Sequence, residues 1–151
     1  MKKTICFALA LIMMLAMVPL TASAYEIDEQ GVYYELNEDG TEYYVCNLSK
    51  TAENVTIPAN FNNLPVTTID YYAFSDSPNL KSVTVGSNVT FIDSYAFQNC
   101  TGLETITIPS WVSKVGIYVF KGCTNLQTIN CRRVNRTSGW DKYWNVVVMP
   151  R

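Results

Sequence analysis

The sequence contains no histidine. That absence removes the commonest general base and metal ligand at neutral pH, and with it every Ser-His or Cys-His nucleophile. No phosphate-binding loop and no dinucleotide-binding glycine pattern occurs. Beyond Leu20 no apolar run approaches the roughly 18 to 20 residues needed to cross a bilayer. Basic charge is scarce too: with Lys2 and Lys3 set aside, nine Lys and Arg face thirteen Asp and Glu, a mildly acidic balance with nothing to draw nucleic acid. Catalysis would have to rest on carboxylates, as in glycoside hydrolysis by two carboxyls roughly 5 to 10 Å apart. The acids cluster instead at one end, where Glu26, Asp28, Glu29, Glu35, Glu38, Asp39, Glu42 and Glu53 face Lys50 alone. A solvated surface accounts for them. Asn37-Glu38-Asp39-Gly40 lacks the spaced oxygen ligands and terminal Glu of a calcium loop. The expectation is a protein that is not an enzyme and needs no cofactor or metal.

What is present begins with a targeting segment. Lys2 and Lys3 precede an apolar run from Ile5 to Leu20 that ends in Ala22-Ser23-Ala24, the order of a secretory signal peptide. Residues 1–24 are therefore expected to be removed before Tyr25, leaving a secreted chain with no membrane span. Residues 25–151 have the length of one domain of about 100 to 150 residues.

An internal repeat organises that domain. Val66, Val89 and Val112 stand 23 residues apart, followed by Ile69, Ile92 and Val115, then by Ala73-Phe74, Ala96-Phe97 and Val119-Phe120. Each unit closes on Leu80-x-x-Val83-x-Val85, Leu103-x-x-Ile106-x-Ile108 or Leu126-x-x-Ile129-x-Cys131, the LxxLxL signature of a leucine-rich repeat. A 23-residue unit cannot bury its own apolar face, so the coils must stack into one continuous core. The alternation in Val83-Thr84-Val85, Ile106-Thr107-Ile108 and Ile129-Asn130-Cys131 predicts short strands, apolar inward and polar outward, stacked as a parallel sheet. Gly86 and Pro109 end these strands, and Asp76 to Asn79, Asn99 to Gly102 and Gly122 to Asn125 turn the corners. Ala52-x-x-Val55-x-Ile57-Pro58 repeats the pattern once more, 28 rather than 23 residues ahead of Val83, and is read as a first coil with a five-residue excursion.

Val32 to Leu36 and Tyr43 to Cys46 flank Asn37-Glu38-Asp39-Gly40-Thr41, a hairpin turning on Asp-Gly. With its acids it makes a polar cap over residues 25–53, as solenoid ends require. Trp140, Tyr143 and Trp144 at helical spacing, followed by Val146 to Met149, predict an aromatic cap over residues 132–151, which also carries Arg132, Arg133, Arg136 and Lys142. The fold class is an α/β-type solenoid, mostly β: a right-handed coil of about four turns with leucine-rich repeats over residues 54–131, in units near 66–88, 89–111 and 112–134.

The stretches VTTIDYYAFSDSPNLKSVTV, VTFIDSYAFQNCTGLETITIP and VSKVGIYVFKGCTNLQTINC resemble the BspA-type leucine-rich repeats of bacterial surface and secreted proteins. The resemblance implies an extracellular protein without catalytic residues, with relatives associated with adhesion and host or matrix binding. Ser77 departs from Cys100 and Cys123 at one position, and Gly116 from Asp70 and Asp93 at another.

The candidate binding residues are the outward positions Ser82, Thr84, Thr105, Thr107, Thr128 and Asn130, together with the tyrosine column Tyr72, Tyr95 and Tyr118. A shallow hydroxyl ladder suits an extracellular protein segment or glycan, though its flat area is only on the order of 250 Å², against roughly 800 Å² per partner in a standard interface. Trp111 is either a plug or an exposed contact. Cys100 and Cys123 should stack as buried thiols, because equivalent residues hold their β-carbons parallel rather than converging for a disulfide. Cys46 and Cys131, at opposite ends, should not pair with each other. The Asn-x-Ser/Thr triplets at Asn47, Asn54, Asn88, Asn99 and Asn135 are read as turn chemistry. The competing functional reading is a structural protein that self-associates weakly, acidic cap to basic cap, in a head-to-tail contact.

Overall fold

The computed structural model describes residues 25–131 and Tyr143. The expected signal peptide and most of the C-terminal cap, including Trp140, Trp144 and the basic residues beyond Cys131, lie outside the described residues. Those described form sheet and turn without a helix: a β-solenoid of about four coils headed by a hairpin.

The hairpin comprises β1 (Glu26–Ile27), β2 (Val32–Leu36) and β3 (Tyr43–Leu48), paired antiparallel around the expected turn. Asn37 fastens that turn, its Oδ1 accepting from the Thr41 N–H at 2.7 Å and the Glu42 N–H at 3.2 Å, while Gly40 takes φ of 69°. The first coil contains β4 (Asn54–Thr56), β5 (Asn60–Phe61) and β6 (Leu64–Ile69). The excursion is itself a tight hairpin: β5 pairs antiparallel with β6 across Asn62 and Asn63, both at positive φ, the geometry of a type I′ turn. It delivers Phe61 onto the buried Tyr34 ring, 4.1 Å between centroids and nearly parallel, which closes the hairpin over the core.

The later coils add β7 (Ser82–Thr84), β8 (Phe91–Ile92), β9 (Thr105–Ile108), β10 (Lys114–Val115) and β11 (Thr128–Cys131). Each coil has three faces. On the first, β4 pairs parallel with β7, and β9 with β11. The continuous four-stranded sheet expected here is broken between β7 and β9, which belong to separate ladders. On the second face β3, β6, β8 and β10 run parallel, so the hairpin cap continues a sheet of the solenoid itself. The third face carries no strands, yet its corner segments bond coil to coil: Phe74 N–H to Ala96 O at 2.8 Å, Phe97 N–H to Val119 O at 3.0 Å, Asn99 N–H to Lys121 O at 2.8 Å. Apart from the break between β7 and β9, backbone groups on each face thus find partners in the neighbouring coil, which lets short units stack.

The interior is a set of columns at the repeat interval. Phe74, Phe97 and Phe120 are fully buried, with ring centroids 5.1 and 5.6 Å apart along the column. Val66, Val89 and Val112 are likewise fully buried, and Leu80, Leu103 and Leu126 nearly so. Cys131, expected to point inward as Ile108 does one coil earlier, is exposed, and Ile129 is only half-buried: β11 has β9 on one side and ends the described stack.

Both departures from the repeat have local explanations. Cys100 donates to the Phe74 carbonyl at 3.0 Å and Cys123 to the Phe97 carbonyl at 2.9 Å, each reaching back one coil. Ser77 heads this column, and Lys50 Nζ lies 3.5 Å from its Oγ while donating to Ser75 O at 2.5 Å. An acceptor hydroxyl suits that ammonium better than a thiol does. At the other position, Asp70 Oδ1 and Asp93 Oδ1 accept from the next residue's N–H at 2.8 and 2.6 Å. Gly116 has no carboxylate, so Ser94 Oγ of the preceding coil accepts from Ile117 N–H at 3.1 Å instead. A Cβ on Gly116 would lie 2.5 Å from that hydroxyl and from Ser94 N, so the close approach requires glycine. Ser94→Ala should therefore lower stability by about 1 kcal/mol, the cost of an amide left without its acceptor. A urea midpoint equal to wild type would show that water replaces the hydroxyl at no cost.

Candidate functional site

The outward residues of the first face divide between its two ladders. Asn54, Thr56, Ser82 and Thr84 are exposed on one; Thr105, Thr128 and Asn130 are exposed and Thr107 half-buried on the other. Cross-strand pairing sets Thr105 beside Thr128 and Thr107 beside Asn130. In the first ladder Ser82 Oγ donates to Asn54 Oδ1 at 2.7 Å, so those two side chains already engage one another. Below them the exposed Lys81 and Glu53 form an ion pair at 2.6 Å.

Where the sheet breaks, a groove of about 340 Å³ opens, lined by Val83, Thr84 and Val85 from one side and Thr107, Pro109 and Trp111 from the other. Trp111 stands at the bend after Pro109 and keeps 43% of its surface exposed. Its indole Nε1–H donates to Gly86 O at 3.0 Å, which ties the ring to the coil before it. The alternatives for Trp111 resolve into a pinned, exposed wall beside the threonines. Composition marked it only as ambiguous, since a lone aromatic after a proline has no repeat partner to reveal its orientation.

The tyrosine column lies on the third face, reached by a different connection of the coil from Trp111, so the two aromatic features are not one site. Tyr72 and Tyr95 stack at 5.1 Å, Tyr95 and Tyr118 lie tilted at 5.6 Å, and Tyr143 stacks 5.9 Å beyond Tyr118. Tyr71 meets Tyr72 edge-on at 4.3 Å, and Lys121 Nζ sits 5.7 Å over the Tyr118 ring. The rings thus pack largely on one another along the row. Tyr72, Tyr95 and Tyr118 adopt φ of 58°, 59° and 51°, left-handed backbone that costs a bulky residue about 1 to 2 kcal/mol. Coil-to-coil bonds hold them there, Tyr95 N–H to Ile117 O at 3.0 Å and Tyr118 N–H to Tyr143 O at 3.1 Å.

Two acids of the N-terminal cap have structural partners rather than a free surface. Asp28 accepts from Gln30 N–H and Val32 N–H at 2.9 Å and from Tyr34 O–H at 3.0 Å. Glu26 Oε1 accepts from Tyr43 O–H at 2.7 Å, and its other oxygen from Asn62. Gln30, which sequence reasoning passed over, lays its amide along the outer edge of β4: Thr56 N–H donates to Gln30 Oε1 at 2.8 Å and Gln30 Nε2 to Thr56 O at 3.0 Å. That contact mimics a neighbouring strand and blunts an edge open to unwanted pairing. No local signal announces it, because the partners are 26 residues apart.

None of the four described cysteines is in a disulfide; Cys100 and Cys123 are buried in contact, and that contact together with burial pushes the Cys100 thiol up. Burial raises the Cys46 thiol to about 11. The side chains of Asn47, Asn54, Asn88 and Asn99 all make hydrogen bonds within the fold, with Asn99 Nδ2 donating to Asp76 Oδ1 at 2.8 Å in the corner ladder. Asn135 lies outside the described residues. No helix among the described residues is long and apolar enough to cross a membrane.

Among solved structures the chain is similar to the pneumococcal vaccine antigen PcpA, with a TM-score of 0.51 and 15% identity over 78% of this chain and 40% of that one. It is also similar to a leucine-rich repeat protein from Bacteroides capillosus, with a TM-score of 0.49 and 22% identity over 76% of this chain and 98% of that one. A leucine rich cell surface protein from Faecalibacterium prausnitzii gives a TM-score of 0.32 and 21% identity over 76% of this chain and 41% of that one. The chain thus spans well under two thirds of the PcpA structure. No curated protein matches it. The pattern of the BspA type leucine rich repeat region occurs in six copies across residues 41–143. With that pattern over more than half its length, the chain belongs to the BspA-type leucine-rich repeat family.

Proposed function

We propose that the protein is an exported, non-catalytic binding module, acting outside the cell or at its surface, that recognises an extracellular protein or glycan through the first face of the solenoid. The observation that carries this reading is the outward polar row on that face, the exposed Ser82, Thr84, Thr105, Thr128 and Asn130 with the half-buried Thr107, held on short strands over the buried core. Hydroxyls and amides fixed on strands offer directional hydrogen bonds at little rearrangement cost. Export rests on the Lys2 to Ala24 segment and family membership. The strained tyrosine column is a second candidate surface: holding a bulky residue at positive φ where glycine or asparagine would be cheaper points toward a use for its hydroxyl edge.

The face is small, so one module should bind weakly and gain strength when several are displayed together. The test is the triple replacement Thr84→Lys, Thr107→Lys and Asn130→Lys in the secreted chain, measured by attachment to immobilised extracellular matrix and mucosal glycoprotein. Loss of attachment with an unchanged circular dichroism spectrum is expected. Undiminished attachment would move the site to another face.

A further inference from the structure

We propose that the groove between β7 and β9 is a carbohydrate subsite, taking one pyranose ring of a glycan against Trp111. This deepens the reading above and rests on it. Three observations converge on that occupant.

The first is the composition of the walls. Trp111 supplies the exposed carbon surface, above the edges of the buried Val83, Val85 and Pro109, and Thr84 and Thr107 supply two hydroxyls on opposite sides. Because the indole N–H is committed to Gly86 O, what Trp111 brings to the groove is its π-surface. A pyranose has the matching character: an apolar face of C–H groups that packs on the electron-rich face of an aromatic ring, and a rim of hydroxyls that both donate and accept. Threonine hydroxyls do the same and so can meet either orientation of a sugar hydroxyl.

The second is the width. A peptide strand inserted between β7 and β9 would hold them about 9.4 to 9.8 Å apart, twice the ordinary strand spacing. Their Cα atoms approach within 8 Å, so the ladder is broken but the gap does not admit a strand. What fits is a compact group lying over the gap. The volume of about 340 Å³ is at the small end for ligand sites, which run from roughly 300 to 1,000 Å³.

The third is rigidity. Trp111 is held from Gly86, and a Cβ on Gly86 would lie 2.5 Å from Pro58 O, so the three first-face bends are packed on one another. The wall therefore does not have to be ordered when a ligand arrives.

The experiment titrates the full secreted chain with lactose, maltose and N,N′-diacetylchitobiose, following tryptophan fluorescence and saturation-transfer NMR. The expected result is saturable binding of at least one disaccharide with Kd on the order of millimolar, as suits a shallow site for a small ligand. Trp111→Ala should weaken it at least tenfold and Trp111→Phe much less. Thr84→Val with Thr107→Val, which leaves the Trp111 anchor untouched, should also weaken it. Absence of binding by all three sugars, or binding indifferent to both sets of replacements, overturns the subsite. If the lysine replacements still abolish attachment while sugars fail to bind, the first face recognises protein and only the carbohydrate assignment falls. If those replacements leave attachment intact, the first-face reading itself is wrong.

Discussion

Phe97→Ala should cost about 3 to 5 kcal/mol of stability, a large part of the roughly 5 to 15 kcal/mol available to a domain. Phe97 is fully buried at the middle of the aromatic column, 5.1 Å from Phe74 and 5.6 Å from Phe120. Its removal leaves a cavity that neither neighbour can fill, because each is held by backbone bonds on its own corner: Phe74 N–H to Ala96 O, and Cys123 N–H to Phe120 O. In a solenoid each coil touches only its neighbours, so a loosened central interface uncouples the halves on either side. Urea unfolding followed by circular dichroism should show a lower midpoint together with a shallower, less cooperative transition. A loss below about 1 kcal/mol would mean that the phenylalanine column does not couple the coils.

The second large effect belongs to the N-terminal cap. Asp28→Ala removes the acceptor of two backbone amides and of the fully buried Tyr34 hydroxyl. A buried hydroxyl without a partner costs about 1 to 3 kcal/mol, and hydrogen bonds to a charged acceptor add to that, so a loss of about 3 kcal/mol is expected. Adding Tyr34→Phe should return part of it by deleting the orphaned donor while keeping the ring stacked on Phe61. That non-additivity in a double-mutant cycle distinguishes the buried hydrogen bond from a general loosening of the hairpin. Strict additivity would remove Asp28–Tyr34 as the link. Alkali should act on the same contact. Burial, with the adjacent Asp28 carboxylate, holds the Tyr34 phenol well above its ordinary value of 10.0. For a group whose folded value is raised, the stabilisation is complete below the ordinary value and is lost as pH rises past it. Stability should therefore fall above about pH 10, and less so in the Tyr34→Phe protein.

The repeat was legible because many positions agree at one interval. From it follow the buried Phe, Leu and Val columns, the register that sets Asn54 against Ser82, and the outward positions of the first face. The hairpin was legible from Asp39-Gly40 between two apolar stretches. The second sheet was not. Its strands β8 and β10 are two residues long, and β6 buries Val66 and Ile69 at an interval of three, so no period-two alternation marks it. The Ser94 hydroxyl that serves Ile117, and the Gln30 amide that serves β4, act across 23 and 26 residues and leave no local trace.

What the sequence by itself determined is the kind of object this is: stacked coils around a repeating apolar core, with no histidine chemistry, since both are written in local pattern and composition. What only the tertiary structure decided is where the stack departs from its own repetition. Ser82-Val83-Thr84 and Thr105-Ile106-Thr107 are nearly the same triplet, yet the first pairs backward with β4 and the second forward with β11, leaving the groove beside Trp111 between them. A repeat encodes what each coil buries, but the fit between two particular coils depends on every side chain packed at that one interface, and no single unit contains that information.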